Sequence, residues 1–391
     1  IDPGTGSALV YVVVAVVVSL YFAVRGLYYR VVDLFFRSRL RIRKCTLAVH
    51  SEDPRYETTF VPVLRELAAR GVEATYFTMY ERGEAFAPLP DGVEHAPVPP
   101  GLVGYSLLNH LEAKLLVTTT PQLDVMTFRR SRRVAHYGML PHALGEARFL
   151  RPFAYDYFDT VFCCGPLLKE NIRRIEKLRR LPEKRLLETG IPHYEELRDR
   201  LAGESPPGNR RSVLVAPSWG PMSLFEVLGV EFVADLAERF DVVVRPHPQL
   251  RVSQPELHAR VVALEGVRVD ASPTPAPAMA AADLLVSDIS GIVHEFAFLL
   301  ERPVVVVDHD VDVGGLEGHF LREVTSLREL CADFIIGVPP DEGDGIVEVV
   351  ERALDADVRD EVRRARGDLV YNFGAGSAAA AEQIEETLRC L

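Results

Sequence analysis

Short apolar runs that stop abruptly at polar or turn-forming residues recur through most of this 391-residue chain, and helical patterns separate them. Residues 241–245, 284–286 and 303–308 are examples of such runs. A run that is apolar on both faces is typical of a buried parallel strand, whose carboxyl end delivers polar side chains to one edge of the sheet. Strands that alternate with helices in this way predict parallel sheets with helices on both faces.

The alternation falls into two series, because a segment of turn formers and charged residues, 201–211, interrupts it like a linker. We therefore predict two Rossmann-like domains, residues 45–207 and 208–391, whose facing carboxyl edges enclose a ligand cleft. The second domain is predicted to end in a helix, residues 377–391, that packs back across both domains. Predicted strands lie at residues 46–50, 73–78, 114–119, 133–136, 160–164, 186–189, 212–216, 241–245, 267–269, 284–286 and 303–308. Predicted helices lie at residues 58–70, 222–239, 254–264 and 292–300, and a further basic helix ends near residue 180.

Charge is unevenly spread along the chain, whose formal net charge is −12. Residues 1–44 contain seven basic and two acidic residues, whereas the rest contains 37 basic and 54 acidic residues. An acidic body argues against nucleic-acid binding, which needs a basic face to displace counterions. The five cysteines form no CxxC pair, which is typical of the reduced thiols of a cytoplasmic protein.

Residues 8–24 have no charge and one polar residue, Ser19, and seven basic residues follow between positions 25 and 44. This pattern predicts that residues 1–44 form one transmembrane helix and a basic juxtamembrane segment. The positive-inside rule places the N-terminus outside and the main body in the cytoplasm, at a bacterial inner membrane. A signal peptide is the alternative, but the start Ile1-Asp2 lacks a basic region and no small-residue cleavage site follows. The stretch 27–43 is expected to contact anionic lipid, and the helix could also pair with membrane-protein partners.

A candidate phosphate site lies between the strand 284–286 and the helix 292–300. A helix start rich in serine and glycine offers backbone N–H groups and the positive end of a dipole to an anion. The end of the strand 241–245 could add cationic donors, so we predict a nucleotide diphosphate site. Its residues are Ser287, Asp288, Ser290, Gly291, Arg245 and His247. The alternative is structural, with the Ser-Asp pair as a helix N-cap and Arg-Pro-His-Pro as a stiff strand exit.

His136 closes the predicted strand 133–136, and Gly138 two positions later would let a ligand approach the backbone. We predict that His136 faces the cleft as the general base of a hydroxyl acceptor, because an imidazole titrates near neutral pH. A hydrogen-bonded residue at a strand end is the alternative. His193, Ser218 and Trp219 also follow strands, where they could line the cleft or pack against the linker.

Residues 308–312 have the side-chain types of a metal site, but their dense spacing in one loop favours a solvated acidic loop. The sequence contains no GxGxxG, no P-loop signature and no GxSxG elbow. Their absence weighs against dehydrogenase, kinase and hydrolase functions. No metal ion and no cofactor is therefore predicted.

Five segments, in order, resemble motifs of the CDP-glycerol glycerophosphotransferase family, the teichoic-acid-type polymerases and primases of GT-B architecture. They lie within about residues 110–330 and are His136-Tyr-Gly138, Gly190-Ile-Pro-His193, Ala216-Pro-Ser-Trp219, Arg245-Pro-His-Pro248 and Ser287-Asp-Ile-Ser-Gly291. The resemblance implies a membrane-anchored transferase that moves glycerol phosphate, or a related polyol phosphate, from a CDP-activated donor to a lipid-linked or membrane-associated acceptor. CMP would be the leaving product.

The same resemblance implies roles for individual residues. His136 would match the acceptor-activating base, and His247 with Arg245 would match the groups that stabilise the pyrophosphate. Ser287, Asp288, Ser290 and Gly291 would match the donor phosphate loop. Glu295, one turn into the following helix, would hold the ribose hydroxyls.

The motifs also depart from the family's pattern. The tryptophan before the histidine is missing and Tyr137 follows it, His193 replaces an arginine, and Gly291 replaces a second serine. The stretch from Ser290 to Glu295 also resembles a motif of UDP-N-acetylglucosamine 2-epimerases. Alternatives are therefore a nucleotide-sugar glycosyltransferase, an epimerase-like enzyme, or a non-catalytic subunit of a membrane complex. The predicted membrane helix favours a transferase, since epimerases act on soluble sugars.

Overall fold

The computed structural model describes residues 44–391, except residues 84–85, 207, 209–210, 309–312 and 340–344, together with five helical positions of the preceding segment. Those positions are Val16, Leu20, Val24, Leu27 and Val31, and all five side chains are exposed. The rest of the predicted membrane span, residues 8–24, lies outside the described residues. Across the described part of the chain, no helix combines the length and the apolar character that crossing a membrane requires.

The first sheet has seven parallel strands in the order β3-β2-β1-β4-β5-β6-β7. Its strands are β1 (Lys44–Ser51), β2 (Ala74–Thr78), β3 (Val93–Pro97), β4 (Glu112–Thr118), β5 (Arg133–Met139), β6 (Thr160–Cys163) and β7 (Arg185–Glu188). Its helices are α1 (Glu57–Ala69), α2 (Leu102–Leu108), α3 (Pro166–Arg179) and α4 (Pro192–Leu201), with 3₁₀ turns at Pro54–Tyr56 and Ala147–Phe149. The central strands are buried on both faces, as their apolar sequences predict.

The second sheet has six parallel strands in the order β10-β9-β8-β11-β12-β13. Its strands are β8 (Ser212–Val215), β9 (Asp241–Val244), β10 (Arg268–Val269), β11 (Leu284–Ser287), β12 (Val304–Val307) and β13 (Ile335–Val338). Its helices are α5 (Leu224–Val227), α6 (Phe232–Arg239), α7 (Leu250–Ser253), α8 (Pro255–Val262), α9 (Ala276–Ala280), α10 (Ile292–Leu300), α11 (Leu327–Leu330) and α12 (Ile346–Ala353), with a 3₁₀ turn at Glu317–Phe320. The prediction of two parallel α/β domains is confirmed.

In each sheet the order of strands reverses direction at one point, between β1 and β4 and between β8 and β11. The loops that follow neighbouring strands diverge there, which opens a crevice at the carboxyl edge where ligands bind in open α/β sheets. The first crevice is bordered by Ser51 and Thr118, and the second by Val215 and Ser287. The fold thus provides one candidate binding edge on each domain.

Two helices close the chain, α13 (Arg359–Leu369) and α14 (Gly376–Arg389). The predicted C-terminal helix is present, but α14 packs on the first domain, where Ala380, Ala381 and Ile384 join the core that contains Phe60. The crossing is made earlier, by α13 and by the segment after it, which passes so close to Gly190 that a Cβ there would lie 2.2 Å from the Tyr371 carbonyl oxygen. The first domain is therefore completed by the end of the chain.

A buried ion pair also joins the two domains. The Arg179 Nη1 atom of α3 lies 2.7 Å from Asp156 Oδ1 and 3.0 Å from Glu317 Oε1. Glu317 follows β12 and is fully buried. Phe153 and Phe320 flank the guanidinium, with its carbon 4.8 and 4.5 Å from their ring centroids. These contacts fix one side of the second domain to α3.

Several predicted boundaries are wrong. The strand predicted at 133–136 continues to Met139 as β5. The helix predicted at 222–239 is divided into α5 and α6 because the chain turns at Gly229, whose φ of +78° is in the region that favours glycine. The helix predicted at 254–264 is shorter, Pro255–Val262. Two strands were not predicted: β3, at one edge of the first sheet, and β13, at one edge of the second sheet.

Candidate active site

The cleft lies between the loops that follow β1, β4 and β5 of the first sheet and those that follow β8, β9 and β11 of the second. It contains a cavity of about 750 Å³. First-domain residues form most of the cavity wall, and Trp219, the chain's single tryptophan, contributes from the second domain. The predicted cleft residues can be placed around this cavity.

Ser287 and Asp288 hold the loops of the second domain together. Asp288 accepts hydrogen bonds from the backbone N–H groups of Ser218 at 2.9 Å and of Leu224 at 2.8 Å. The Ser287 hydroxyl donates to the Ala216 carbonyl oxygen at 2.7 Å. Both side chains are buried, and burial raises the pKa of Asp288 although the N–H donors oppose it. Both residues were predicted to bind phosphate, but in the structure their side chains bind the backbone of the loop after β8 and hold it in place.

Ser290 and Gly291, in contrast, reach the surface of the cleft loop. Ser290 is half-buried and Gly291 is exposed, directly before α10 begins at Ile292. The backbone N–H of Ser290 donates to Asp288 Oδ1 at 3.2 Å, which holds the loop against the helix start. The N-terminus of this nine-residue helix carries the positive end of the helix dipole.

His247 is half-buried beside this edge, after β9. Its Nδ1 accepts a hydrogen bond from the backbone N–H of Gln249 at 3.1 Å, so the neutral ring carries its proton on Nε2. Its ring centroid lies 6.3 Å from that of Trp219. Burial, with the positive charges of Arg55 and Arg245, lowers the pKa of His247 to about 4. At neutral pH the ring is a neutral N–H donor.

Arg245 does not present a free guanidinium to the cleft. Its Nη1 donates to Asp270 and lies 3.3 Å from the Ser272 hydroxyl. Only 14% of its side chain is exposed. Its charge reaches the site through space, by its effect on His247.

Glu295 and His193 meet across the two domains. His193 Nε2 lies 3.3 Å from Glu295 Oε1, and His193 Nδ1 lies 2.8 Å from the Thr58 hydroxyl. Burial alone would raise the pKa of Glu295, but the hydrogen bond and charge of His193, with His142 and His294 further away, hold that pKa below its ordinary value. Two residues that the sequence assigned to different roles are thus direct partners.

His142 is the histidine of the first domain that the structure places in the cavity, and sequence reasoning missed it. It follows β5 on the loop Leu140-Pro-His142, and its ring centroid lies 4.6 Å from that of Tyr56. The ring is exposed to the cavity, while the surrounding protein, followed by the charges of His193 and Arg55, lowers the pKa of His142 below its ordinary value. A neutral imidazole at this position can accept a proton.

His136 lies elsewhere. It sits within β5, three residues or about 10 Å before the strand's carboxyl end at Met139. Its Nε2 is 2.8 Å from the Thr160 hydroxyl at the start of β6. Gly138 serves packing, because a Cβ there would lie 2.7 Å from the Phe162 ring. The prediction that the strand ends at His136 is therefore wrong. His136 lies inside β5 and not at the edge of the sheet that borders the cleft.

Arg55 is a second cleft residue that sequence reasoning missed. It precedes α1, and its guanidinium makes two bonds to Asp53, Nε to Oδ1 at 2.9 Å and Nη2 to Oδ2 at 3.2 Å. Its guanidinium carbon lies 5.9 Å from the centroid of the Tyr56 ring, which contacts His142, and its charge is among the causes that lower the pKa values of both His142 and His247. The signal available in the sequence was a cation four residues after the end of β1, at the edge where the strand order reverses.

Of the acidic loop 308–312, the structure describes only Asp308, which forms a paired ion bridge with Arg328 at 2.9 and 2.7 Å. Residues 309–312 lie outside the described residues. Among the residues that are described, no group of histidine, cysteine and carboxylate side chains is arranged to hold a metal ion.

A family model described as CDP-Glycerol:Poly(glycerophosphate) glycerophosphotransferase matches residues 169–314. The match contains His193, His247 and the start of α10, and it confirms the predicted resemblance of this part of the chain to that family. No curated protein matches the chain in sequence.

Solved structures share the fold. The wall teichoic acid polymerase TagF is 14% identical with a TM-score of 0.56, over 93% of this chain and 92% of that chain. A second TagF structure, obtained after a soak with CDPG, is 12% identical with a TM-score of 0.54, over 95% of both chains. UDP-GlcNAc 2-epimerase from Neisseria meningitidis, bound to UDP-GlcNAc, is 13% identical with a TM-score of 0.53, over 89% of this chain and 100% of that chain. These likenesses agree with the predicted GT-B arrangement of two parallel-sheet domains.

Proposed function

We propose that this chain transfers glycerol phosphate, or a related polyol phosphate, from a CDP-activated donor to the hydroxyl of a membrane-associated acceptor. The observation that carries the proposal is the arrangement across the cleft. A neutral N–H donor, His247, and the N-terminus of α10 lie on the second domain, and a neutral histidine, His142, lies on the first. The family match and the CDPG soak of TagF support the choice of donor.

The donor's pyrophosphate is proposed to lie against the start of α10. The helix dipole, the Ser290 hydroxyl and the Nε2–H of His247 are donors suited to phosphate oxygens. Arg55 adds positive charge from the opposite domain. Glu295 remains the proposed partner of the ribose hydroxyls, and its carboxylate would then serve both the ribose and His193.

The reaction then proceeds by substitution at the phosphorus that bears the polyol. The acceptor oxygen forms a bond to this phosphorus while its proton passes to the neutral His142 imidazole. The bond to the bridging oxygen breaks, and CMP leaves with the electron pair. His247 and the α10 N-terminus stabilise the negative charge that develops on the leaving phosphate, which is the usual role of fixed donors in phosphoryl transfer.

The membrane side of the proposal rests on the charge distribution of residues 1–44 alone. We propose a single helix over residues 8–24 with its N-terminus outside and the two domains in the cytoplasm, at a bacterial inner membrane. The basic stretch that follows would contact anionic lipid, and the helix could associate with other membrane proteins.

One observation favours a second candidate. The segment from Ser290 to Glu295 is also similar to a motif of UDP-N-acetylglucosamine 2-epimerases. A nucleotide-sugar enzyme on the same fold is therefore the competing function, and it would release no CMP.

Calorimetric binding of nucleotides to the purified full chain separates the two functions. We expect CDP-glycerol or CDP-ribitol to bind more tightly than UDP-N-acetylglucosamine, and CMP to be released when an acceptor is added. Preference for the UDP-sugar, with formation of its epimer, would support the competing enzyme. Binding without turnover of either donor would support a non-catalytic subunit.

A further inference from the structure

We propose that His193 is a positioning residue for the donor: from the first domain it holds the Glu295 carboxylate of the second domain in the orientation that accepts the ribose hydroxyls. Recognition of the ribose then depends on one group from each domain. This inference rests on the proposed function, in which Glu295 binds the ribose, and it gives the residue at position 193 a role in the selection of the nucleotide.

Glu295 lies in the first turn of α10, the helix whose N-terminus is the proposed phosphate site. Its side chain is only 13% exposed, and its carboxylate is bonded from the opposite domain, where His193 Nε2 lies 3.3 Å from Oε1. A glutamate side chain that is free to rotate loses conformational freedom when it binds a ligand. A carboxylate that is already fixed beside the site binds without that loss.

His193 is itself held by the first domain. Its Nδ1 lies 2.8 Å from the hydroxyl of Thr58, in the first turn of α1. The backbone N–H of Ser377, at the start of α14, donates to Glu195 Oε1 at 2.9 Å. These bonds anchor the start of α4 to two helices of the first domain, and the imidazole is fixed at both nitrogens. A ring held in this way transmits the position of the first domain to Glu295.

The contact leaves the carboxylate able to bind a ligand. An ionised carboxylate only accepts and has about four lone-pair sites, so His193 Nε2 carries the hydrogen of this bond and uses one of them. The other sites suit the two neighbouring hydroxyls of a ribose, which both donate. Burial raises the pKa of Glu295, but the hydrogen bond and charge of His193 hold it below its ordinary value, so the carboxylate stays ionised.

A purely structural contact between the two domains is the alternative, and it has a different consequence. Such a contact acts on the cleft as a whole, so its loss would weaken the binding of every nucleotide alike. A positioning residue acts through Glu295 and the ribose hydroxyls, so its effect should vanish when those hydroxyls are absent. A cycle that combines a change in the protein with a change in the donor therefore separates the two roles.

The test uses the full chain with two donors, CDP-glycerol and its 2′,3′-dideoxy analogue, and measures binding by calorimetry and release of the nucleoside monophosphate. We expect the wild type to bind the analogue about tenfold or more weakly, the usual effect of losing hydrogen bonds to a charged group. The amide of His193→Asn reaches the position of Nδ1 but not that of Nε2. This variant should weaken CDP-glycerol binding roughly five- to tenfold, with little change in kcat and none in the affinity for the analogue.

Two further variants locate the effect in the pair. The amide nitrogen of His193→Gln reaches the position of Nε2 and can donate to Glu295, so this variant should recover most of the affinity for CDP-glycerol. Thr58→Val frees Nδ1 without touching the pair, so it should also weaken CDP-glycerol binding and spare the analogue. Arg174→Met is the matched control, because Arg174 and Glu323 also pair across the domains, and both affinities should stay unchanged.

The two donors separate this inference from the proposed function. If CDP-glycerol does not bind the wild type, the proposed function fails and this inference fails with it. If CDP-glycerol is bound and turned over while the analogue binds equally well, Glu295 does not contact the ribose hydroxyls and only the role of His193 is wrong. An equal loss of both donors in His193→Asn, or a His193→Gln variant no better than His193→Asn, would show a structural contact instead.

Discussion

His193 of the N-terminal domain and Glu295 of the C-terminal domain lie 3.3 Å apart, Nε2 to Oε1, across the cleft. His193 lies in the first turn of α4, and Glu295 lies in the first turn of α10, the helix whose N-terminus forms the proposed phosphate site. A contact between these two helices ties the relative position of the domains to the donor side of the cleft.

This pairing predicts a pH dependence of stability. The pKa of Glu295 is held below its ordinary value of 4.5 in the folded chain, so its carboxylate contributes stability that is fully present above the unfolded pKa. That contribution should be lost as the pH falls from about 4.5 through the lower, folded pKa. Thermal unfolding of the wild type and of Glu295→Gln should therefore differ most at pH 6 and converge as the medium is acidified. A difference that stays constant over this range would contradict the ion pair.

If His142 is the general base in place of His136, His142→Asn should lower turnover by roughly 10²-fold or more, the usual scale of general-base loss. Donor binding should stay near normal. Because burial lowers the pKa of His142 to about 4, the wild type should keep its activity from pH 8 down to pH 5, whereas a base of ordinary pKa would lose it below about 6.5. Steady-state CMP release from pH 5 to 8 measures both effects.

His136→Asn is the matched control, because it changes a half-buried histidine of the preceding strand that bonds to Thr160 outside the cleft. Its turnover should stay within a few-fold of the wild type. The reverse outcome, with His136→Asn inactive and His142→Asn active, would restore the role that the family resemblance gave to His136.

The donor site predicts that His247→Ala and Ser290→Ala each lower nucleotide affinity or turnover by about tenfold or more, since charge-assisted hydrogen bonds to phosphate contribute roughly 1.5–3 kcal/mol. Calorimetry with CDP-glycerol measures the loss. Ser287→Ala is the control for a structural role, because the buried Ser287 hydroxyl donates to the Ala216 carbonyl oxygen and does not reach the nucleotide site. It should lower the midpoint of thermal unfolding and leave the affinity of the folded protein unchanged. Normal affinity in both His247→Ala and Ser290→Ala would remove the donor site.

The strands and the helix α10 were predictable because their cause is local. The strand Leu284–Ser287 is buried on both faces. The helix Ile292–Leu300 begins and ends at the residues that the sequence predicts. The strand β3, Val-Glu-His-Ala-Pro, escaped because it is an edge strand with mixed exposure and lacks the apolar run. Local sequence therefore predicts strands that carry a continuous apolar run and misses an edge strand such as β3, which has none.

The site was less predictable because its side chains are assigned by tertiary contacts. Asp288 follows a strand as a phosphate ligand would, yet backbone N–H groups some 70 positions away in the chain use its carboxylate. His136 and His142 are six residues apart, and only the true end of β5 decides which one reaches the cleft. Where a strand ends depends on its neighbours in the sheet, and no motif in this chain encodes that.

The proposed transmembrane helix over residues 8–24 predicts that alkaline carbonate fails to extract the full chain from membranes. It also predicts that a reporter fused after Leu391 behaves as cytoplasmic. The reason is the cluster of seven basic residues at positions 25–44, directly after the apolar run 8–24. Deleting residues 1–30 should release the protein on carbonate treatment. A deleted protein that stays in the membrane would show that another part of the chain holds it there.

The buried ion pair between Arg179 and Glu317 joins α3 to the segment after β12. Removing one partner of a buried pair leaves an uncompensated charge, which typically costs about 3–5 kcal/mol. Arg179→Met should therefore lower the free energy of unfolding by about this amount, because Glu317 is fully buried and Asp156 would lose its partner too. Arg174→Met is the matched control on the same helix, since Arg174 pairs with Glu323, whose side chain is 78% exposed, and surface pairs contribute about 0–1 kcal/mol. Urea unfolding of the two variants measures the difference. Equal destabilisation would show that the contact between α3 and the segment after β12 does not depend on the buried pair.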